Sequence, residues 1–126
     1  MSEKRTFGIQ FEEKIVDSTT VLAVSGNIDT DNYQEFESQV SSLLDGGART
    51  LILDLERAPL INSMGVGVIV RAYRQLKDLE GGLVLLSPSP GIRQVLTTLM
   101  LEKKLSITTS LEDALRILGP LGGLPD

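Results

Sequence analysis

The sequence predicts a single α/β domain with a mixed, mostly parallel sheet that opens with a β-hairpin and carries helices packed against it. Three observations lead there. Two strand-like runs rich in Val, Ile, Phe and Thr, Phe7 to Ile15 and Thr19 to Ser25, meet across the turn-prone Asp17-Ser18. Helical and strand patterns then alternate to give the order β-β-α-β-α-β-α-β-α, which calls for parallel strands joined by helical crossovers. Finally, 126 residues with 41% apolar and 23% charged side chains suffice for one core and match a globular composition.

After the hairpin, Gly26-Asn27-Ile28-Asp29 leads into a segment where Tyr33, Phe36, Val40, Leu43 and Leu44 recur at three- and four-residue spacing. That spacing predicts an amphipathic helix, capped by Thr30 or Asp31 and ended at Gly46-Gly47. Thr50-Leu51-Ile52-Leu53-Asp54-Leu55 is the short apolar run of a strand buried on both faces, and is expected to be the central one. Beyond the Pro59 loop, Val66, Ile69, Val70, Tyr73 and Leu76 mark one face of a second helix, stopped at Gly81-Gly82. Leu83 to Leu86 forms the next strand. Ser87-Pro88-Ser89-Pro90 then sets a serine cap before a first-turn proline, starting a third helix that runs to about Met100. A last strand, Leu105 to Thr108, precedes Ser110-Leu111-Glu112-Asp113, where a serine with an acid three residues on resembles a capping box. The fourth helix is expected to end at Gly119-Pro120. These spans predict an N-terminal segment at 1–6, a folded domain at 7–118 and a flexible tail at 119–126.

Composition narrows the chemistry. No cysteine and no histidine are present, which removes thiol nucleophiles, disulfides, the commonest metal ligands and the usual neutral-pH general base. No cofactor is expected. A net charge of -5 and a pI near 4.7 repel a phosphate backbone or an anionic lipid surface, and the basic pair Lys103-Lys104 reads as a solvated face. Nucleic acid is therefore not an expected partner. No stretch has the apolar length of a signal peptide or a membrane span, so a cytoplasmic protein without membrane insertion is expected.

Ile61-Asn62-Ser63-Met64-Gly65-Val66-Gly67 is the most informative stretch. It places a serine where the loop after the central strand becomes a helix, with two glycines in the first turns. Each glycine costs a helix about 1 kcal/mol relative to alanine, so the pair implies close backbone approach by the sheet or by a partner. A phosphate on Ser63 would meet free N–H groups and the positive end of the helix dipole. On position alone the simpler assignment is that Ser63 is the N-cap of this helix and the glycines only let it pack.

This stretch is similar to the Asp-Ser-small-Gly-apolar-Gly signature of STAS domains, specifically those of the anti-sigma-factor antagonist type. Val24-Ser25-Gly26-Asn27-Ile28-Asp29 resembles the family's second-strand ending, Leu51 to Leu55 its central strand, and Ser110 to Leu115 its last helix, so that the likeness covers about residues 7 to 118 in order. The resemblance implies a non-enzymatic bacterial regulator. In that family the unphosphorylated antagonist binds an anti-sigma factor that is also a serine kinase, releasing a sigma factor to transcribe. Phosphorylation of the motif serine ends the complex, and a serine phosphatase restores it. Carried over, Ser63 is the phosphoacceptor, while Asp29, Asn62, Met64, Gly65, Val66 and Gly67 form the partner surface. Two departures stand out. Asn62 replaces the usual aspartate and removes a charge, and Met100 replaces a common glycine, so the turn after the third helix is expected to differ.

Two rivals compete with this assignment. A response-regulator receiver would use Asp54 at the end of the central strand with Glu12-Glu13 and a late lysine, but an opening hairpin and lysines placed before the last strand oppose it. A STAS-like module that is never phosphorylated, serving as a subunit of a lipid-transport or stress-sensing assembly, is the closer alternative. Nucleotide binding at the helix start lacks a Gly-rich loop followed by lysine.

Overall fold

The computed structural model describes residues 8–122. Phe7, the expected N-terminal segment 1–6 and the end of the expected tail, 123–126, lie outside them. Alternating residues that favour strands give β1 (Gln10–Val16) and β2 (Thr19–Ser25), paired antiparallel across Asp17-Ser18. Both turn residues have positive φ, 51° and 68°, the mirror-image geometry whose twist matches a tight hairpin. Then follow α1 (Tyr33–Asp45), β3 (Thr50–Arg57), α2 (Ser63–Asp78), β4 (Gly82–Leu86), α3 (Pro90–Thr98), β5 (Ser106–Thr108) and α4 (Leu111–Gly122).

The five strands lie in sequential order, with β3 central and β2 to β5 all parallel. Right-handed crossovers between neighbours in one direction bring their helices to one face. Accordingly Leu22, Val24, Leu51, Leu53, Leu55, Leu83 and Leu85 pack with Phe36, Val40, Ile69, Leu76, Ile92 and Leu96 from α1, α2 and α3. The alternate residues Val21, Ile52, Val84 and Leu86 meet Ala114 and Leu118 of α4 on the opposite face. The central strands are thus apolar on both sides, which is why Thr50 to Leu55 reads as a continuous apolar run.

Several termini differ from the sequence expectation. The cap position of α1 is Asn32 rather than Thr30 or Asp31. Its Oδ1 accepts from the Asp29 amide at 2.9 Å and its Nδ2 donates to the Asn27 carbonyl at 2.9 Å, so the side chain is spent on the loop before the helix. At the end of α2 the left-handed residue is Glu80 (φ 64°) instead of a glycine, with the Gly81 amide bonded to the Leu76 carbonyl at 2.7 Å. After α3, Met100 itself takes the left-handed conformation (φ 60°), and its amide and that of Leu101 bond back to Thr97 and Leu96. The turn therefore keeps the geometry a glycine would adopt, instead of differing. At the start of α4 the Ser110 hydroxyl accepts from the Asp113 amide at 3.0 Å, while the Asp113 carboxylate pairs with Arg116, leaving half a capping box. Helical backbone continues through Gly119 and Pro120 to Gly122, past the expected stop. A proline disfavours helical backbone at the residue before it chiefly through that residue's Cβ, and here that residue is glycine.

Candidate functional site

The site is assembled from two loops at the C-terminal ends of the neighbouring parallel strands β2 and β3. The Gly26 amide donates to the Arg57 carbonyl at 2.9 Å, the Ile28 amide to Leu60 at 3.0 Å, and the Asn62 amide to Ile28 at 2.9 Å. These bonds continue the strand pairing as an isolated bridge between Ile28 and Ile61. Both isoleucines are buried, and they bring Asp29 alongside Asn62 at the start of α2. Asp29 is itself fixed, its Oδ1 accepting from the Asp31 amide at 3.0 Å and the Asn32 amide at 3.2 Å.

Asn62, not Ser63, is the N-cap of α2. Its backbone is extended (φ -94°, ψ 177°) and its Oδ1 accepts from the Gly65 amide at 2.9 Å. Ser63 is the first helical residue and is exposed. Among the described residues no hydrogen bond engages its hydroxyl, and the amides of Ser63 and Met64 have no acceptor. The arrangement is an exposed hydroxyl beside unsatisfied N–H groups at a helix start, with the neutral Asn62 next to it.

The remaining motif residues divide between surface and core. Met64 is 48% exposed and stands beside Ser63. Val66, by contrast, is 5% exposed and joins the core with Ile69, so its side chain cannot line a partner surface in this conformation. Val66, Ile69, Ala72 and Leu76 recur at three- and four-residue spacing, so Val66 begins the stripe that α2 buries. Gly65 is also buried, because a Cβ there would lie 2.7 Å from both Ile28 Cγ2 and Ile61 Cγ1. Gly67 is half-buried, and a Cβ there would meet only the Arg71 guanidinium, at 3.3 Å. Of the expected partner residues, Asp29, Asn62 and Met64 therefore cluster around Ser63, and Gly65 and Val66 support it from beneath.

A groove of about 450 Å3 borders Ser63, between the loop before α2 and the outer side of α3. Leu60, Ile61, Gly91, Gln94, Val95, Thr98 and Leu99 complete its walls. The Ser89 hydroxyl docks α3 onto that loop, donating to the Ala58 carbonyl at 2.6 Å while accepting from the Ile92 amide at 3.3 Å. A Cβ on Gly91 would sit 2.2 Å from the Pro59 carbonyl, so only glycine permits this approach. Sequence reasoning reached Ser89 only as a cap and did not reach Leu60, Gly91, Val95 or Leu99. The available signal was the apolar Leu60 and Leu99 in segments otherwise expected to face solvent.

Asp54 lies inside β3, which runs on to Arg57, and its Oδ1 accepts from the Glu56 amide at 3.1 Å. It is therefore not the strand-end residue a receiver would need. Among the described residues no group of three or more acidic side chains is placed to hold a metal, and no helix is long and apolar enough to cross a membrane.

Comparison with known proteins agrees with this architecture. The STAS domain family model matches residues 10–114. An anti-sigma F factor antagonist from Lysinibacillus sphaericus is 30% identical over 84 residues, covering 66% of this chain and 72% of that protein. The crystal structure of an anti-sigma factor antagonist from Mycobacterium paratuberculosis superposes with a TM-score of 0.81 at 23% identity, over 88% of this chain and 94% of that one, a likeness of fold. The anti-sigma factor antagonist SpoIIAA in its unphosphorylated form gives 0.71 at 26% identity, over 86% and 96% of the two chains. The phosphorylated form of the Bacillus protein gives 0.65 at 27% identity, over 86% and 98%. With the family model spanning most of its length, this chain belongs to the STAS domain family.

Proposed function

We propose that this protein is an anti-sigma-factor antagonist, a partner switch controlled by phosphorylation of Ser63. The observation that carries the reading is the division of labour at the start of α2. Asn62 caps the helix, so the exposed Ser63 hydroxyl is free to react. The names of the similar proteins, one of them solved in both an unphosphorylated and a phosphorylated form, supply the class of partner.

On this reading the unmodified protein binds an anti-sigma factor that is also a serine kinase, and a sigma factor is released in the bacterial cytoplasm. The kinase holds ATP, metal and base. Ser63 Oγ attacks the γ-phosphorus, the Oγ–P bond forms, the bond from phosphorus to the departing ADP oxygen breaks, and the hydroxyl proton passes to the base of the kinase. The switch itself contributes only a positioned hydroxyl and is no enzyme. The product is accommodated without unfolding, because the Ser63 and Met64 amides and the helix dipole favour negative charge there and Asn62 adds no competing carboxylate. It nonetheless adds a charge of about -1.5 to -2 to the partner surface. A serine phosphatase resets the switch by hydrolysis, returning the hydroxyl and releasing inorganic phosphate.

The test is incubation with ATP and the anti-sigma-type serine kinases of its own source, followed by intact mass and site mapping. One added phosphate on Ser63, absent in Ser63→Ala, is expected. No phosphate with any of them, together with stable capture by a lipid-transport or stress-sensing assembly, would replace the switch with an unphosphorylated interaction subunit.

A further inference from the structure

The two edges of the sheet are unequal. β5 ends one side with three half-buried residues, Ser106–Thr108, whereas β1 presents seven, Gln10–Val16, and nothing among the described residues pairs with its outer side. A long open edge is a template for another strand, and natural sheets cover or blunt it. Ile15 on this strand is 69% exposed. We propose that two copies of the chain join β1 to β1, antiparallel about a two-fold axis at Glu13, to make one continuous sheet.

The backbone is set for this pairing. A two-residue hairpin loop is closed by a hydrogen-bonded pair, here Val16 and Thr19, and antiparallel pairs alternate from there. The amides and carbonyls of Gln10, Glu12, Lys14 and Val16 are therefore directed to β2, and those of Phe11, Glu13 and Ile15 to the open edge. Residues opposite each other in one sheet share a face, so the axis must pass through a residue, and only Glu13 overlaps β1 along its whole length.

In that register the side chains match. On the face that carries α4, Glu12 of each copy meets Lys14 of the other, in the closer, non-hydrogen-bonded kind of pair. On the face that carries α1, Phe11, partly packed on the core, meets Ile15 of the other copy. The charges that guard the edge against an unrelated strand thus favour a second copy. Moving the axis by one residue sets Glu12 against Glu12 or Lys14 against Lys14, and Glu13 against Phe11 or Ile15. The one mismatch at Glu13 is Glu13 itself, facing its own copy, which weakens the dimer and keeps it reversible. Ser63 opens α2, which packs with α1 and β4, so the inference is independent of its phosphorylation.

The experiment is sedimentation of the full chain from about 10 μM to about 1 mM, a range suited to a weak complex, with folding checked by thermal melting. The wild type is expected to be dimeric at the upper end. Lys14→Glu and Glu12→Lys, at exposed positions, should each weaken association about tenfold, and an equimolar mixture of the two should recover it, because every Glu then meets a Lys. Glu13→Gln should tighten the dimer by removing the like-charge pair. As the chain has no cysteine, Glu13→Cys introduces a single thiol that should give a disulfide-linked dimer under mild oxidation, while Glu12→Cys should not. A wild type that stays monomeric throughout overturns the inference and leaves the edge to another occupant. A dimer indifferent to both charge variants, or linked through position 12 and not 13, assembles by another surface or register and overturns it equally.

Discussion

At the start of α2 the capping is done by Asn62, which leaves the Ser63 hydroxyl without a partner among the described residues. Asn62 satisfies the Gly65 amide at 2.9 Å, the bond a serine cap would otherwise make. Asn62→Ala should therefore lower stability by about 1 kcal/mol, while Asn62→Asp, which retains an accepting oxygen, should cost little; chemical denaturation of the three proteins measures both. The two glycines separate in the same way. Gly65→Ala drives a Cβ to 2.7 Å from the buried Ile28 and Ile61 side chains and should destabilise by about 1 to 3 kcal/mol. Gly67→Ala meets only the movable end of Arg71 and should stabilise α2 by up to about 1 kcal/mol, so a loss of partner binding in that variant would mark Gly67 as a contact. The motif was legible as a helix start, and the tight packing of its first glycine was implied. Which of Asn62 and Ser63 is the cap was not, because both residue types cap well and the choice depends on where the bridge between Ile28 and Ile61 fixes the chain.

Among the elements, those with a continuous apolar run or a clear period were readable almost to the residue: β2 spans Thr19–Ser25 as expected, and α3 starts at the serine and proline that signal it. Termini were readable where a side chain makes the cap locally, as at Ser89 and Ser110, and not where the chain turns through a non-glycine residue in left-handed backbone. Glu80 and Met100 are such cases. Met100 is 77% exposed and makes its turn against its own steric preference, so Met100→Gly should raise stability by up to about 1 kcal/mol, less the entropy glycine gains in the unfolded chain. An unchanged or lower melting temperature would contradict the assigned turn. Arg71 and Glu37 join α2 to α1 at 3.0 Å, but with side chains 62% and 44% exposed the pair should contribute well under 1 kcal/mol, and Arg71→Ala should leave the melting temperature nearly unchanged.

For the molecule as a whole, the sheet carries helices on both faces, and the candidate site lies at the C-terminal ends of its parallel strands, where the loops after β2 and β3 are hydrogen-bonded to each other and to α3. The alternation of strands and helices made this architecture legible, since sequential parallel crossovers of one hand leave few arrangements. The groove was not legible, because its walls come from residues 34 to 39 positions apart, Leu60 and Gln94 to Leu99, joined by tertiary packing at Ser89 and Gly91. Phosphate at Ser63 adds charge without breaking any hydrogen bond found among the described residues, so the switch should act on the surface and leave the fold intact. The most direct measurement is the affinity of the unmodified and the stoichiometrically Ser63-phosphorylated protein for the same anti-sigma kinase, with amide spectra of both forms recorded alongside. The account predicts at least a tenfold weaker complex for the phosphorylated form, with spectral changes confined to the neighbourhood of Ser63. Equal affinity of the two forms would contradict it.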